Sequence, residues 1–381
     1  MVARQSHKLE VVISGSSPTS ATKQAQSIMK VSVIGAGNVG VAIAADLSIK
    51  GHEVTLIKSS DLKSKSFDRL IENGNRVFLK ENGEYTGTVI KEVSRDLGKV
   101  ADSQVVFVTI QSNYHEELYK KISGFLNENQ VIVCICSYMS LFYLYRHCSP
   151  LPMMAETTGP YLEGRIELDD KLGEVVFRVG CRLTRSPLSV FYRHRKDECM
   201  KIIHELYNGF SCDYDVVESA LLNPNMVLHT VGAIMSIPRI EFSDGNFCMY
   251  REAYTKKNEA TIRIMLALDQ EKKDVLTRLG FRPTDIMEAG GFLKGMESFY
   301  EYSESEDRAI SPTSVRSRYI TEDVSQGLVL LESIAEHKGV PTPITTSLID
   351  IAGTALDIDF RRTGRTLQRL GAVQFIKHLG D

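Results

Sequence analysis

Short apolar runs alternate with segments of helical periodicity through the first half of the chain. The runs at 31–34, 104–110 and 130–136 are apolar at nearly every position and are bounded by polar residues, as strands buried on both faces of a parallel sheet are. A further apolar run lies at 54–57. Between it and the run at 31–34, apolar residues recur with the spacing of a helix. This alternation predicts an α/β fold built on a doubly wound parallel sheet of the Rossmann type.

Weaker patterns surround these runs. The polar stretch 74–91 predicts a hairpin or loop after the second strand, 153–156 predicts a further strand, and 174–184 predicts closing strands or a hairpin. Residues 1–28 are rich in Ser, Thr, Lys and Gln, with an apolar cluster too short for a signal peptide. They predict a disordered extension, or an upstream start codon with Met29 as the natural beginning.

Helical periodicity dominates the second half of the chain. The predicted helical segments lie near 197–208, 214–236, 250–279, 324–338 and 344–358. The predicted domains are therefore a Rossmann-type domain at 29–192 and a mostly α-helical domain at 193–381. A length of 381 residues agrees with two cores.

The turn after the first strand carries the candidate cofactor chemistry. It reads Gly35-Ala36-Gly37-Asn38-Val39-Gly40. Gly35 allows the sharp turn, Gly37 lets the backbone approach a pyrophosphate, and Gly40 lets the helix lie close to the strand. Backbone N–H groups at the start of that helix, including those of Asn38 and Val39, would face the phosphates. The alternative is a buried glycine turn without a ligand, but the strands on both sides of the turn favour a dinucleotide site.

The position that discriminates between the two nicotinamide cofactors follows the second strand. A carboxylate there would accept from a ribose 2′-hydroxyl, whereas this chain has Lys58, followed by Ser59 and Ser60. A cation and hydroxyls suit a 2′-phosphate, so we expect NADPH, with NADH possible. Lysines at a strand end are also ordinary surface residues, and Asp61 lies three residues further on.

Composition excludes several classes of function. A formal net charge of −3 provides no basic field for nucleic acid, and no run approaches the roughly 18 apolar residues of a membrane span. The seven cysteines form no paired C-x-x-C elements. This pattern favours reduced thiols in a cytoplasmic protein over a disulfide framework or a metal site.

Two stretches of the second half carry candidate acid–base groups. His229 lies in a helix that is apolar on nearly all sides, and Arg318 and Asp323 lie five residues apart. A guanidinium can bind a carboxylate in two-point fashion, and a carboxylate can orient an imidazole. Taken alone, a buried histidine such as His229 is more often a hydrogen-bonded core residue than a catalyst. Arg318 and Asp323 could likewise form a helix-start ion pair, with Thr321 or Asp323 as the cap of a helix that begins near residue 324.

Taken together, these stretches resemble the octopine/nopaline dehydrogenases, often called opine dehydrogenases, from Met29 to the end of the chain. The resemblance rests on the order and spacing of several motifs. They are the glycine loop, the Asn-x-Asn-x-x-x-His helix at 223–229, the Arg-Tyr-Ile-Thr-Glu-Asp-Val segment at 318–324 with Gly327, the Gly-Val-Pro-Thr-Pro turn at 339–343 and the Gly-Arg-Thr-Leu segment at 364–367.

The resemblance implies an NAD(P)-dependent oxidoreductase acting on CH–NH donors. Such enzymes reductively condense an amino acid with a 2-oxo acid, often pyruvate, through an imine that is reduced by hydride. His229 would be the general acid/base and Asp323 its orienting partner, while Arg318 would bind a substrate carboxylate. Gln111 and Tyr319 are further candidates for substrate binding.

Two departures from the family pattern concern the pocket. Many members have a proline directly after the catalytic histidine and a histidine before the Arg-Tyr pair, where this chain has Thr230 and Ser317. Octopine and nopaline themselves are therefore not assumed as products.

Two rival functions remain open at this stage. The same plan could serve a simple 2-oxo acid reductase like ketopantoate reductase, or a dinucleotide-sensing protein without turnover. The sequence leaves open the amino acid, the oxo acid, the stereochemistry of the product and the oligomeric state, although an apolar helical domain could support a homodimer.

Overall fold

A computed structural model describes residues 27–169, 171–183, 185–305 and 308–380. The predicted extension at 1–28 lies almost wholly outside the described residues. The strands are β1 (Lys30–Ile34), β2 (Glu53–Ile57), β3 (Arg76–Glu81), β4 (Glu84–Val89), β5 (Glu92–Ser94), β6 (Val105–Val108), β7 (Val131–Ile135), β8 (Met153–Thr157), β9 (Leu162–Asp169), β10 (Glu174–Arg182), β11 (Ser186–Val190) and β12 (Phe210–Cys212).

Helices follow and interrupt these strands. They are α1 (Asn38–Ile49), α2 (Lys65–Glu72), α3 (His115–Ile122), α4 (Leu141–His147), α5 (Lys196–Leu206), α6 (Val216–Leu221), α7 (Asn225–Met235), α8 (Ile237–Phe242), α9 (Met249–Ala253), α10 (Glu259–Arg278), α11 (Ile286–Ala289), α12 (Met296–Glu304), α13 (Arg318–Thr321), α14 (Val329–Lys338), α15 (Pro343–Leu356), α16 (Phe360–Thr363), α17 (Leu367–Leu370) and α18 (Val373–Lys377). A π-helical turn, Asp323–Leu328, leads directly into α14.

The main sheet has eight strands in the order β12-β11-β8-β7-β6-β1-β2-β5. Its strands pair in parallel, except that β11 runs antiparallel to β8. Every residue of β6, β7 and β8 is buried, as their continuous apolar character predicts. The predicted Rossmann-type sheet followed by a mostly helical domain is thus confirmed, with one antiparallel strand added.

A second sheet of four strands, in the order β4-β3-β10-β9, covers part of the first domain. The stretch 74–91 supplies the hairpin β3–β4, which was one of the two predicted forms. The prediction of two closing strands or a hairpin within 174–184 was wrong, because β10 is one continuous strand through residue 182. Its partners are β9, which is antiparallel, and β3, which is parallel and distant in sequence.

The helical domain is arranged around α7. This helix is buried from Met226 to Ile234 and packs against α10, α13, α15 and the π-helical turn. A helix that is apolar on all sides must lie in a core, since no face of it is suited to water. His229 is consequently placed inside the domain, away from bulk water.

The division of the chain at residue 192 stays a prediction. The main sheet takes its last strand, β12, from Phe210–Cys212, and we propose on this ground that the helical domain begins just after that strand. Within the described residues, the helices are too short or too polar to cross a membrane.

Candidate active site

The glycine loop joins β1 to α1 with little free space at two of its three glycines. Gly35 has φ +119°, and a Cβ there would lie 2.5 Å from Oγ1 of Thr109. A Cβ on Gly40 would lie 1.7 Å from the carbonyl oxygen of Gly35, so only glycine permits α1 to start this close to the strand. By contrast, a Cβ at Gly37 would meet no atom within 4 Å. Gly37 therefore borders open space, as an approach to a pyrophosphate requires.

A cleft of about 410 Å³ opens at this loop. Its lining consists of Ala36, Gly37, Asn38, Ser64, Lys65, Ser66, Ile166 and Leu168. One wall comes from β9 of the second sheet, whose Ile166 donates its N–H to Oδ1 of Asn38 at 2.9 Å. Since Gly37 forms the N-cap of α1 without a side-chain cap, backbone N–H groups of the first turn, including that of Val39, are available. The residues present thus fit a dinucleotide pyrophosphate.

Two cations converge beyond the end of β2. Lys58 is 8 % exposed, and its Nζ donates to the carbonyl oxygen and to Oγ of Ser60 at 2.8 and 2.7 Å. Arg95, which follows β5, donates to the same carbonyl at 2.6 Å. Desolvation and the charge of Arg95 lower the pKa of Lys58. Ser59 is half-buried. Sequence reasoning missed Arg95, because the pairing of β5 with β2 is visible only in the tertiary structure.

The predicted acid–base pair is assembled from residues 94 positions apart. Nδ1 of His229 lies 2.8 Å from Oδ2 of Asp323, and the two residues are only 4 % and 2 % exposed. Burial lowers the pKa of His229, the hydrogen bond and charge of Asp323 oppose this shift, and the charge of Arg318 adds to it. Nε2 of His229 has no partner among the described protein groups. It is the ring nitrogen that remains for a substrate.

Asp323 begins the π-helical turn rather than capping a helix. The expectation that Thr321 or Asp323 caps a helix near residue 324 was wrong, because the chain enters the turn directly from α13, whose N-cap is Ser317. π-Helical turns change the direction of side chains relative to an α-helix and are frequent at functional sites. Oδ1 of Asp323 accepts a hydrogen bond from the buried hydroxyl of Tyr138 at 2.8 Å, an interaction that sequence reasoning missed.

Tyr319 and Arg318 lie beside the imidazole. The Tyr319 ring stacks on that of His229 with a centroid distance of 3.7 Å and an interplanar angle of 5°. Arg318 forms an ion pair with Glu322 at 3.4 Å, rather than with Asp323, and 45 % of its side chain is exposed. Its positive charge can therefore meet a substrate anion next to His229.

The loop after β6 contacts the same segment from the first domain. Oε1 of Glu322 accepts from the N–H and the hydroxyl of Ser112 at 2.7 and 2.8 Å. Gln111, directly before, is exposed at this edge. Burial raises the pKa of Glu322, whereas Arg318 lowers it. The structure thus brings Arg318, Tyr319, His229 and Asp323 together and places the loop that contains Gln111 against the neighbouring Glu322.

Comparison with known proteins finds similarity in both halves of the chain. Residues 212–356 match the family model described as NAD/NADP octopine/nopaline dehydrogenase, alpha-helical domain, and residues 31–136 match that of ketopantoate reductase PanE/ApbA. An opine dehydrogenase from Arthrobacter sp. (strain 1C) is 24 % identical over 359 residues, covering 89 % of this chain and 94 % of the relative. A vitopine synthase from Allorhizobium ampelinum is 27 % identical over 351 residues, with coverages of 89 % and 94 %.

Solved structures share the fold. An octopine dehydrogenase with NADH and L-arginine superimposes with a TM-score of 0.70 at 18 % identity, covering 92 % of this chain and 98 % of the other. A yersinopine dehydrogenase with NADP⁺ bound has a TM-score of 0.69 at 12 % identity, with coverages of 92 % and 99 %. The similarity thus extends over both domains.

Proposed function

We infer that this chain is an NAD(P)-dependent opine-type dehydrogenase of the octopine/nopaline dehydrogenase family. It reductively condenses the amino group of an amino acid with a 2-oxo acid such as pyruvate. The observation that carries this inference is the buried pair of His229 and Asp323 beside Arg318, in a chain that also presents a glycine loop fitted to a dinucleotide. Bound NAD(P)H supplies the hydride that reduces the imine carbon.

His229 acts in the proton transfers of this reaction. With Nδ1 hydrogen-bonded to Asp323, the protonated ring presents Nε2–H as an acid, and the neutral ring presents Nε2 as a base. Asp323 stabilises the imidazolium form, and burial excludes water that would compete for the proton. Such a positioned group contributes about 10²–10⁴-fold to the rate.

Arg318 binds the carboxylate of the oxo acid. Its guanidinium is held from one side by Glu322 and remains partly exposed, so that free N–H groups can pair with a carboxylate. Tyr319 stacks on the imidazole ring and would limit the shape of the substrate. Gln111, on the exposed loop of the first domain, is a further candidate for contact with the substrate.

The cofactor is NAD(P)H, and we propose that NADPH is preferred. Lys58 and Arg95 place two positive charges at the Ser60 carbonyl, at the strand end where the adenosine ribose of a Rossmann domain lies. Ser59 and Ser60 add hydroxyl groups. These groups support binding of a 2′-phosphate.

We also propose a reducing, cytoplasmic environment. This proposal is supported by the seven cysteines, all of which are free thiols. The homodimer stays a prediction from the apolar helical domain.

A simple 2-oxo acid reductase is the second candidate function, because residues 31–136 match the ketopantoate reductase model. The two activities differ in whether an amine is consumed. A dinucleotide-sensing protein would show neither activity.

The test is oxidation of NADPH by the purified protein with pyruvate, 2-oxobutyrate or glyoxylate, with and without each of the amino acids and common diamines. We expect oxidation only when both partners are present. Oxidation with the oxo acid alone would identify a ketone reductase. Tight NADPH binding without oxidation in any mixture would identify a sensor.

A further inference from the structure

Tyr138 connects the first domain to the acid–base pair of the second. It lies in the loop that leaves β7, and its hydroxyl donates to Oδ1 of Asp323 at 2.8 Å. The other carboxylate oxygen, Oδ2, faces Nδ1 of His229 at 2.8 Å. Tyr138 and Asp323 are each 2 % exposed. A continuous buried chain of hydrogen bonds therefore runs from the Tyr138 hydroxyl through both oxygens of Asp323 to the imidazole.

The backbone that presents Tyr138 has an uncommon conformation. Cys136, Tyr138 and Met139 have φ values of 55°, 52° and 62°, in the left-handed region that non-glycine residues rarely adopt. Such residues cost of order 1–3 kcal/mol each and persist only where the surroundings enforce them. This strained loop delivers the tyrosine hydroxyl to the neighbouring domain.

Two buried charged residues hold the loop in this conformation. The Glu156 carboxylate accepts from the N–H groups of Met139 and Leu141, both at 3.1 Å. Arg365, from the late Gly-Arg-Thr-Leu segment, donates through Nη1 to the carbonyl oxygens of Ser137 and Tyr138, the latter at 2.8 Å. The loop is therefore fixed from the first domain by a carboxylate and from the second by a guanidinium.

The π-helical turn leaves space for the tyrosine ring. A Cβ on Gly327 would lie 3.1 and 3.2 Å from ring atoms of Tyr138, closer than ordinary van der Waals contact. The π-helical turn that begins with Asp323 thus also contains Gly327, whose lack of a side chain lets the Tyr138 ring pack against the turn.

We propose that Tyr138 is a positioning residue for the acid–base pair. This proposal rests on the proposed function. The hydroxyl fixes one oxygen of Asp323, which prevents the carboxylate from turning about its Cβ–Cγ bond and keeps the other oxygen on Nδ1 of His229. A buried Oδ1 without this donor would have to rotate toward another partner, since buried acceptors without hydrogen bonds are costly. His229 would then lose part of its stabilisation by Asp323.

The test is Tyr138→Phe, which removes only the hydroxyl. We expect kcat to fall about tenfold with little change in cofactor binding, because a hydrogen bond to a charged group is lost. For opine oxidation, in which the neutral imidazole is the base, the acidic limb of the pH profile of kcat should move to lower pH. The reason is that a less well placed Asp323 stabilises the imidazolium less. Tyr119→Phe is the matched control: it removes a buried hydroxyl that is bonded to Cys134 and Ser140, both at 3.1 Å, and leaves Asp323 unchanged.

Two measurements separate positioning from packing. Because Tyr138 acts through Asp323, Tyr138→Phe should not slow an Asp323→Asn enzyme further. NMR titration of His229 should show a lower pKa in Tyr138→Phe, a readout that needs no turnover. A wild type without activity on any pair, together with that lower pKa, would refute the proposed function but leave the hydrogen-bond chain in place.

Three results would overturn the proposal. They are an unchanged pH profile and His229 pKa in Tyr138→Phe, a shift of either to higher pH, or an equal loss of rate in the wild-type and Asp323→Asn backgrounds. If the Tyr138→Phe protein does not fold, Gly327→Ala provides the second variant, because its methyl group would crowd the Tyr138 ring, at 3.1 Å, together with Cγ of Met226, at 3.0 Å. We expect a smaller loss of kcat in the same direction, and wild-type kinetics would overturn the proposal.

Discussion

Asp323→Asn is the perturbation for which the structure predicts the largest specific loss. The amide has almost the shape of the carboxylate but has one acceptor and one donor group. Oδ1 accepts from the Tyr138 hydroxyl, so the amide oxygen is expected at that position and the NH₂ group opposite Nδ1 of His229. Nδ1 must then accept a hydrogen bond, which places the proton of the neutral ring on Nε2. The imidazole is thereby held in the wrong tautomer.

The expected size of the loss follows from the burial of the pair. His229 and Asp323 are 4 % and 2 % exposed, so water cannot replace the missing carboxylate. With the neutral ring protonated on Nε2, the base of the oxidative direction is lost, and without Asp323 the imidazolium is destabilised. General acid–base catalysis contributes about 10²–10⁴-fold. We expect kcat to fall about 10³-fold in both directions.

The assay measures kcat for opine oxidation and for reductive condensation in the wild type and in Asp323→Asn. The dissociation constant of NADPH, measured by its fluorescence, shows whether cofactor binding has changed. Glu332→Gln is the matched control, since Glu332 is also buried in the helical domain but bonds Thr346 and Arg361. It should retain near-normal kcat. An Asp323→Asn kcat within tenfold of wild type, or a loss explained by weaker NADPH binding, would refute the assignment of Asp323.

Three further predictions address other parts of the site and the fold. Arg318→Lys should raise KM for the oxo acid at least about tenfold, because an ammonium lacks the two-point geometry of a guanidinium; an unchanged KM would remove Arg318 from substrate binding. Lys58→Ala and Arg95→Ala should each raise KM for NADPH about tenfold but leave KM for NADH unchanged, since each removes a charged donor that only a 2′-phosphate would use; equal effects on both cofactors would contradict NADPH preference. The free energy of unfolding should decrease as pH falls below 6.5, because burial lowers the pKa of His115 to about 3 and only the unfolded state takes up the proton there. Urea titrations at pH 7 and pH 5 should give a smaller difference in unfolding free energy for His115→Asn than for the wild type. An equal difference in the two proteins would exclude His115 as the cause.

Local patterns allowed the first domain to be predicted well. The glycine loop, β1, α1 and β2 are neighbours in sequence, and their spacing alone indicates a dinucleotide site. The second sheet was not foreseen as a sheet, because β3 pairs in parallel with β10, almost 100 residues away. Pairing over such a distance depends on which strand edges remain unpaired in the folded domain, and no short sequence motif predicts this.

The sequence by itself determined the chemistry available to this protein. The spacing of three glycines indicates a dinucleotide turn. The roles expected of the histidine inside the apolar helix and of the Arg-Tyr-Ile-Thr-Glu-Asp segment come instead from the resemblance to the opine dehydrogenases. Their arrangement in space was decided only by the tertiary structure. His229 finds Asp323 across 94 positions, and Tyr138 reaches the same carboxylate from the other domain. The physical reason is that a buried polar group must find its partner within the folded core, and which group lies opposite is settled by the packing of helices and loops distant in sequence.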